Sequence, residues 1–393
     1  MEAKKMVPFY RHSLGADADI AAVSEVLKGT FLTSAGLGRN VEAQICGFFG
    51  AKRAKLTNSW TNGAVATLLA MDIGPGDEVI VPAMTFIATS NVVEIVGATP
   101  VFVDAEPGTY LMDRAKVAEA ITPKTKAVMP VHLYGQMVDI EALRDIVGAD
   151  VAIIEDCAHC FEGTLNGHRP GAFSDAAIFS FYATKNITCG EGGAVISNDE
   201  DLMERLQQTV LHGMSAGADR RFEGQIYRHW DMARLGTKAN LPDILASLLP
   251  RQIDEVDIQL AERKRLVARY RAAFQGHNLI EMVDEVPGGV SAEHLFVVGV
   301  PGAMRDLVLK KLNQAGVGAT VNYRAVHGLE YYREKYGFTR ETFPVAADWG
   351  DRTFSLPLFP GLLDDEQDYV IETTLQVVAE AADETGQTQD NRE

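Results

Sequence analysis

Cysteine is scarce in this chain. Four in 393 residues are too few for a disulfide framework. The one C-x-x-C, Cys157-Ala-His-Cys160, has no second pair to complete a zinc site, and it does not open a thioredoxin-like fold. Cations are outnumbered: 36 Lys and Arg face 54 Asp and Glu, a net charge of −18. That argues against a nucleic-acid surface, which needs clustered Lys and Arg to neutralise phosphates. Anionic small substrates stay open, because one pocket can be basic on an acidic protein. No apolar run reaches about 18 residues, so no transmembrane helix is expected. The start, MEAKKMVPFYRHSL, has no apolar stretch behind its lysines, and no signal peptide is read there. Walker A, G-x-S-x-G and H-E-x-x-H patterns are missing too. A cytoplasmic location is the default expectation.

What is present is ordinary globular usage, 47% hydrophobic and 23% charged, enough for a large core. Short apolar, β-branched runs at 78–81, 101–103, 127–129, 151–154, 177–181 and 194–196 read as strands. Helix-compatible segments at 87–96, 112–121 and 140–147 lie between them. This rhythm predicts βαβ units around a mostly parallel sheet flanked by helices, an α/β fold. Continuous rather than alternating apolar runs suit strands covered on both faces. A helical tract over 241–274 follows, which Pro250 should kink or divide. Beyond it the pattern shifts: strand at 294–298, helix at 304–315, strand at 318–323, helix at 365–382. The division read from this is a large α/β domain with an N-terminal arm over 1–250, a smaller α+β domain over 251–382 and a disordered acidic tail over 383–393.

Ligands of open α/β sheets sit at the carboxyl ends of strands, so chemistry is sought there. In Phe179-Ser-Phe-Tyr-Ala-Thr-Lys185-Asn-Ile-Thr-Cys-Gly-Glu-Gly-Gly193 a strand runs into a loop bearing one lysine. Burial there lowers an amine's pKa, and a neutral amine can condense with a carbonyl. An exposed loop lysine is the plain alternative. Asp156 ends a strand 29 residues earlier, where a pyridinium nitrogen would find a counter-charge; capping the next turn is its plain role. His159 could touch a cofactor oxygen or be a packed histidine. Around Ser59-Trp60-Thr61-Asn62, small polar residues open a helix, which suits a phosphate or simple capping. Phe86 could cover a flat ring or belong to the core. No metal site is read.

These pieces, in this order, resemble the DegT/DnrJ/StrS family of sugar aminotransferases. Further markers are Gly29-Thr-Phe-Leu-Thr33, Gly74-Pro-Gly-Asp-Glu-Val-Ile-Val-Pro82, Gly97-Ala-Thr-Pro-Val-Phe-Val-Asp104, His132-Leu-Tyr-Gly-Gln136 and Phe354-Ser-Leu-Pro-Leu-Phe-Pro-Gly361. The likeness runs from about Pro8 to Ala382. It implies dependence on pyridoxal 5'-phosphate (PLP) and the fold type I, aspartate-aminotransferase-like architecture. It implies that Lys185 is the catalytic lysine that anchors the cofactor and shuttles protons, and that Asp156 keeps the ring nitrogen protonated. Ser180, Thr61 and Asn62 match phosphate-binding positions, Phe86 the ring-stacking aromatic, and His159 the group near the ring hydroxyl.

Gly236-Thr-Lys-Ala-Asn240 is similar to the family's G-Y-x-Y-N, whose asparagine reaches the neighbouring subunit's cofactor, so a homodimer with a shared site is implied. Trp60 stands where the family has glycine, and could pack over the cofactor, line the mouth or be core. The stretch Asn322-Tyr323-Arg324-Ala-Val-His327 replaces H-Y-x-P-x-H, which makes Tyr323, Arg324 and His327 candidate substrate contacts. Arg324 could clamp a carboxylate or phosphate.

The expected reaction moves an amino group, from L-glutamate as the resemblance implies, to a keto-sugar in amino-sugar or cell-surface polysaccharide synthesis. The sugar is nucleotide-linked or a sugar acid, such as the 8-keto octulosonate of the 8-amino-3,8-dideoxy-manno-octulosonate transaminase type in lipopolysaccharide synthesis. A PLP-dependent dehydratase and a non-catalytic cofactor- or sugar-binding regulator are the alternatives. Dehydrating relatives carry histidine at the lysine position, so Lys185 argues against the former.

Overall fold

The computed structural model of the chain describes residues 5–33, 36–215 and 229–387. In chain order the elements begin with α1 (Asp17–Lys28), α2 (Gly36–Phe49), β1 (Arg53–Thr57), α3 (Trp60–Ala70), β2 (Glu78–Pro82), α4 (Ala88–Ile95) and β3 (Thr99–Val103). Then come α5 (Arg114–Ala120), β4 (Thr125–Val128), α6 (Ile140–Val147), β5 (Ala152–Asp156), β6 (Thr164–Leu165), β7 (Ala176–Ser180), β8 (Gly193–Ser197) and α7 (Glu200–Thr209). The rest is α8 (Asp243–Ala246), α9 (Leu249–Asp254), α10 (Val256–Phe274), β9 (Glu281–Met282), β10 (Gly289–Val290), β11 (Phe296–Gly299), α11 (Gly302–Ala315), α12 (Glu330–Tyr336), α13 (Pro344–Arg352), β12 (Thr353–Leu356) and α14 (Asp364–Thr385).

Seven strands form the main sheet in the order β1-β8-β7-β5-β4-β2-β3. The pairs among β7, β5, β4, β2 and β3 are parallel; β8 runs antiparallel to both β7 and β1. The mostly parallel α/β sheet read from the sequence is therefore present. Its apolar runs are continuous because helices cover both faces. Ile178 and Val195 point into one cluster with Trp60 and Leu68, while Ala177, Phe179 and Ile196 point into another with Val41, Ile45 and Leu249. Phe179 is fully buried, with its ring centroid 4.6 Å from that of Phe49. Truncating such a side chain to alanine costs about 3–5 kcal/mol. Side-chain caps start three helices of this layer: Asp113, Asp139 and Asp199 accept N–H bonds at the starts of α5, α6 and α7.

Strands β9, β11 and β12 form a second, antiparallel sheet. It packs with α11 and α14 over an apolar core that includes Phe296, Val298, Leu312, Val378 and, from the N-terminal segment, Val7.

Four details differ from the sequence reading. Edge strand β1 was not anticipated. The stretch 318–323 is no strand: Thr320 makes one bridge to Ser355, and Gly318 donates its N–H to Val7, so the N-terminal segment takes that edge. Pro250 divides the 241–274 tract, sitting in the first turn of α9 where a missing N–H costs no hydrogen bond, but a second break at Glu255 makes three helices rather than two. Helix α14 continues to Thr385, past the expected start of the tail at Asp383, and the tail's residues 388–393 lie outside the described residues.

Candidate active site

Register places the candidate phosphate residues in one row. Ser180 at the end of β7 pairs with Gly193, Gly193 pairs with Thr57 of β1, and Thr57 is bridged to Asn240. Thr57 leads directly into α3, whose first turn holds Thr61 and Asn62. Ser59 caps that helix, accepting the N–H of Asn62 at 3.1 Å. The N–H groups of Trp60 and Thr61 have no acceptor within the helix and lie at its positive dipole end. Gly193 is needed where β8 crosses behind this turn: a Cβ there would stand 2.8 Å from the nitrogen of Trp60 and from the carbonyl oxygen of Phe179.

Trp60 is a partial correction. Its indole is 5% exposed, lies in the core and donates to the carbonyl of Ile178 at 3.2 Å, so the side chain neither covers a cofactor nor lines a mouth. Only its backbone N–H faces the helix terminus. Asn62 spends its side-chain amide on Asn58 at 2.8 Å, which leaves its backbone and its neighbours for an anion.

Asp156 ends β5, 4% exposed. Its Oδ1 accepts the N–H of Ala158 at 3.0 Å and its Oδ2 the hydroxyl of Thr89 at 2.8 Å. Burial pushes its carboxyl pKa up; these two donors, and then the charge of Lys185, pull the other way. Lys185 follows β7 in a loop held by a hydrogen bond from its own N–H to Tyr182 and one from the Tyr10 hydroxyl, 3.2 Å from its carbonyl. Burial lowers its amine pKa from 10.5 to about 8, against the opposing charge of Asp156. The charges of Asp156 and Lys185 therefore act on each other.

His159 is buried between aromatic neighbours. Burial first, and then the charges of Lys185 and His294, hold its pKa well below 6.5, so the ring is neutral. Its Nδ1 accepts the N–H of Tyr134 at 3.2 Å, so the proton is on Nε2, which donates to the Tyr323 hydroxyl at 3.0 Å. Both nitrogens are thus engaged, and a contact with a cofactor oxygen would have to replace the Tyr323 bond. Tyr323 stands at this wall, its ring 5.8 Å from His159 and 5.5 Å from Phe86. Phe86 is 51% exposed, which excludes the core reading for it.

Of the remaining candidates, Arg324 is exposed and makes no hydrogen bond or ion pair among the described residues. His327 is a correction. It is 1% exposed, its ring lies 4.9 Å from Phe343 and 6.5 Å from Phe338, and no ring contact joins it to the site. It is a packed histidine, not a substrate contact.

The sequence reading passed over Thr89, Tyr134, Asn322 and His294. His294 lies 4.4 Å from the ring of His159 and beside Lys185 in a shared cavity. Position identifies their roles: Tyr134 and Asn322 lie inside motif stretches that assigned them none, and Thr89 and His294 lie in no motif.

The donor set fits PLP: a buried carboxylate for a ring nitrogen, an amine of lowered pKa for an aldehyde, an exposed aromatic beside them, and a helix N-terminus with Ser180 nearby in the strand register for a phosphate. The cluster His132, Glu155 and Cys157 does not fit a metal. Nδ1 of His132 accepts the N–H of Val138, its Nε2 bonds Glu155 at 2.6 Å, and Glu155 also accepts from Gly171 and Ser174.

Comparison with known proteins agrees with this geometry. A model of the DegT/DnrJ/EryC1/StrS aminotransferase family matches residues 14–375. The spore coat polysaccharide biosynthesis protein SpsC of Bacillus subtilis (strain 168) is 35% identical over 375 residues, 92% of this chain and 94% of that one. The putative sugar aminotransferase Spr1654 from Streptococcus pneumoniae superimposes, in its PMP form, with a TM-score of 0.90 at 30% identity, over 97% of this chain and 100% of that one. In its PLP form the TM-score is 0.87 at 31% identity, over 96% and 100%. DesV of S. venezuelae superimposes with a TM-score of 0.84 at 30% identity, over 92% of this chain and 94% of that one.

Proposed function

The chain belongs to the DegT/DnrJ/EryC1/StrS aminotransferase family and is a PLP-dependent sugar aminotransferase; from that premise we propose that it transfers the amino group of L-glutamate to a keto-sugar bearing an anionic group, with Lys185 as its catalytic residue. The observation that carries this is the placement of Asp156 at the carboxyl end of β5 and of Lys185 in the loop just beyond its parallel neighbour β7.

When bound, the cofactor supplies an electron sink for the negative charge that develops on the substrate carbon. The residues do the rest. Asp156, held by Thr89 and Ala158, presents a negative charge to the ring nitrogen. Thr61, Ser180 and the first N–H groups of α3 would receive the phosphate. Lys185, with a pKa near 8, carries an appreciable neutral fraction at neutral pH. Its one mobile amine can take a proton at the substrate carbon and return it at the cofactor carbon.

Arg324 supports the choice of substrate. A guanidinium without an acidic partner, one residue beyond Tyr323, suits the carboxylate of glutamate or of a sugar acid, or the phosphates of a nucleotide-linked sugar. Arg324→Ala should raise KM for one substrate about ten- to a hundredfold while kcat changes little, the size of a lost charge-assisted hydrogen bond. Unchanged KM values for both substrates would remove Arg324 from the site. Product mass separates the reactions: a sugar amine supports transamination, and a dehydrated sugar without nitrogen supports the alternative.

A homodimer in the cytoplasm belongs to the same reading. Trp230, Met232 and Leu235 precede Asn240 with their side chains exposed, and Phe31 and Leu32 are exposed where Thr33 meets Asp243. Apolar groups of this size in water suit a subunit interface. Among the described residues no helix is long and apolar enough to cross a membrane.

A further inference from the structure

Beside Lys185 lies a cavity of about 40 Å³, lined by Tyr10, Thr184, His294, Asn322 and Tyr323 over apolar Leu356 and Leu358. Two acceptors without partners stand in its polar wall. Asn186 donates its side-chain amide to Glu162 and to the carbonyl of Ala292, both at 2.9 Å, so its Oδ1 is an acceptor. His294 Nδ1, 3.0 Å from that oxygen, must carry the proton. The ring is neutral, since burial first and then the charges of Lys185 and Arg263 hold its pKa well below 6.5. Its Nε2 is therefore a bare lone pair, with no partner among the described residues. The Glu162–Arg263 ion pair behind Asn186 fixes this arrangement. Asn322 adds a second acceptor, a buried Oδ1 without a hydrogen-bond partner. The Tyr323 oxygen accepts from His159, and the Tyr10 hydroxyl is turned to the carbonyl of Lys185.

We propose that this cavity receives the ε-amine of Lys185 in its protonated, unlinked state, with His294 Nε2 and Asn322 Oδ1 as the acceptors that make His294 and Asn322 positioning residues of the reaction. Two unpartnered acceptors call for an occupant that donates to both, and an ammonium has three donors and no acceptor. A buried cation without such partners is costly, so the proton-carrying lysine needs them when it leaves the cofactor. The titratable groups around the amine are Asp156 from β5, His159 and Tyr323 from the opposite wall, Tyr10 from the N-terminal segment and His294; Asp156 is the one negative charge among them.

The inference rests on Lys185 being the cofactor-linked residue. Its test is competitive acetylation of the cofactor-free protein across pH, with the Lys185 peptide quantified by mass spectrometry. Wild type should give a midpoint at or above about 8, the value that burial and Asp156 set without these acceptors. Asn322→Leu and His294→Phe should lower it by about one pH unit, and Asn322→Asp should raise it by about as much. A merely structural role would move all three variants the same way or not at all, and that result overturns the inference. Added PLP separates the two claims: protection of Lys185 without opposed midpoints contradicts the cavity's role alone, whereas absent protection contradicts the reading of Lys185 and this inference with it.

Discussion

Thr89 donates its hydroxyl to Oδ2 of Asp156 at 2.8 Å, and Thr85, 2.9 Å from the same hydroxyl, supplies the proton that Thr89 accepts in turn. A short relay from the start of α4 thus holds the carboxylate that ends β5. It favours the charged form of an acid that burial pushes toward neutrality.

Thr89→Val keeps the side chain's shape and removes one of two donors to Asp156. The variant should retain PLP less tightly and lose about tenfold in kcat, the size of one hydrogen bond to a charged group. Asp156→Asn, which removes the charge itself, should cost about 10²- to 10³-fold, as the loss of one preorganised electrostatic contact does. Cofactor titration and steady-state rates check both. A Thr89→Val enzyme indistinguishable from wild type would make the relay incidental.

Lys185 is held in the fold at a cost. Its folded pKa is about 8, against 10.5 when free. Between those values the unfolded chain binds more protons, so the cofactor-free native state gains stability as pH rises through that window. Below pH 8 the penalty from this group is full and constant. Lys185→Ala removes it. The variant should exceed the cofactor-free wild type by about 1–3 kcal/mol at pH 7, the gap closing as pH passes 10. Thermal melts of both proteins across pH test this. A variant less stable at pH 7 would contradict a desolvated amine.

Asn240 tests the shared site. In the single chain it ends the row Ser180–Gly193–Thr57, and the subunit it serves is decided by mixing inactive variants. If Asn240 serves the partner's cofactor, dissociated and reassociated Lys185→Ala and Asn240→Ala chains should recover about a quarter of wild-type activity. Half the dimers would then be mixed, each with one intact site of two. No recovery, with dimers shown to exchange, would assign Asn240 to its own chain's site.

Where the chemistry hangs on strand ends, it was legible. Asp156 and Lys185 follow continuous apolar runs, and the buried sheet between them leaves little freedom in where they emerge. Strand β1 was not legible because Arg53-Ala-Lys-Leu-Thr57 alternates cations with apolar residues and lies at the sheet edge, half covered. Residues 318–323 read as a strand in isolation, yet tertiary pairing with Val7 takes that backbone. Trp60 and His327 look functional by position in a motif; the structure spends both on packing, because an indole and an imidazole serve equally well as core. His294 has no local pattern and Asn322 only its place before Tyr323; both lie more than a hundred residues beyond Lys185, so only the fold brings them to it.

The most direct test of the central claim is the visible spectrum of the purified protein before and after L-glutamate, with Lys185→Ala as control. A yellow protein that glutamate bleaches, with release of 2-oxoglutarate, and a variant that cannot turn over are the predicted result. A yellow protein indifferent to glutamate would contradict the proposed donor. A Lys185→Ala protein that turns over like wild type would contradict the assignment of the catalytic residue.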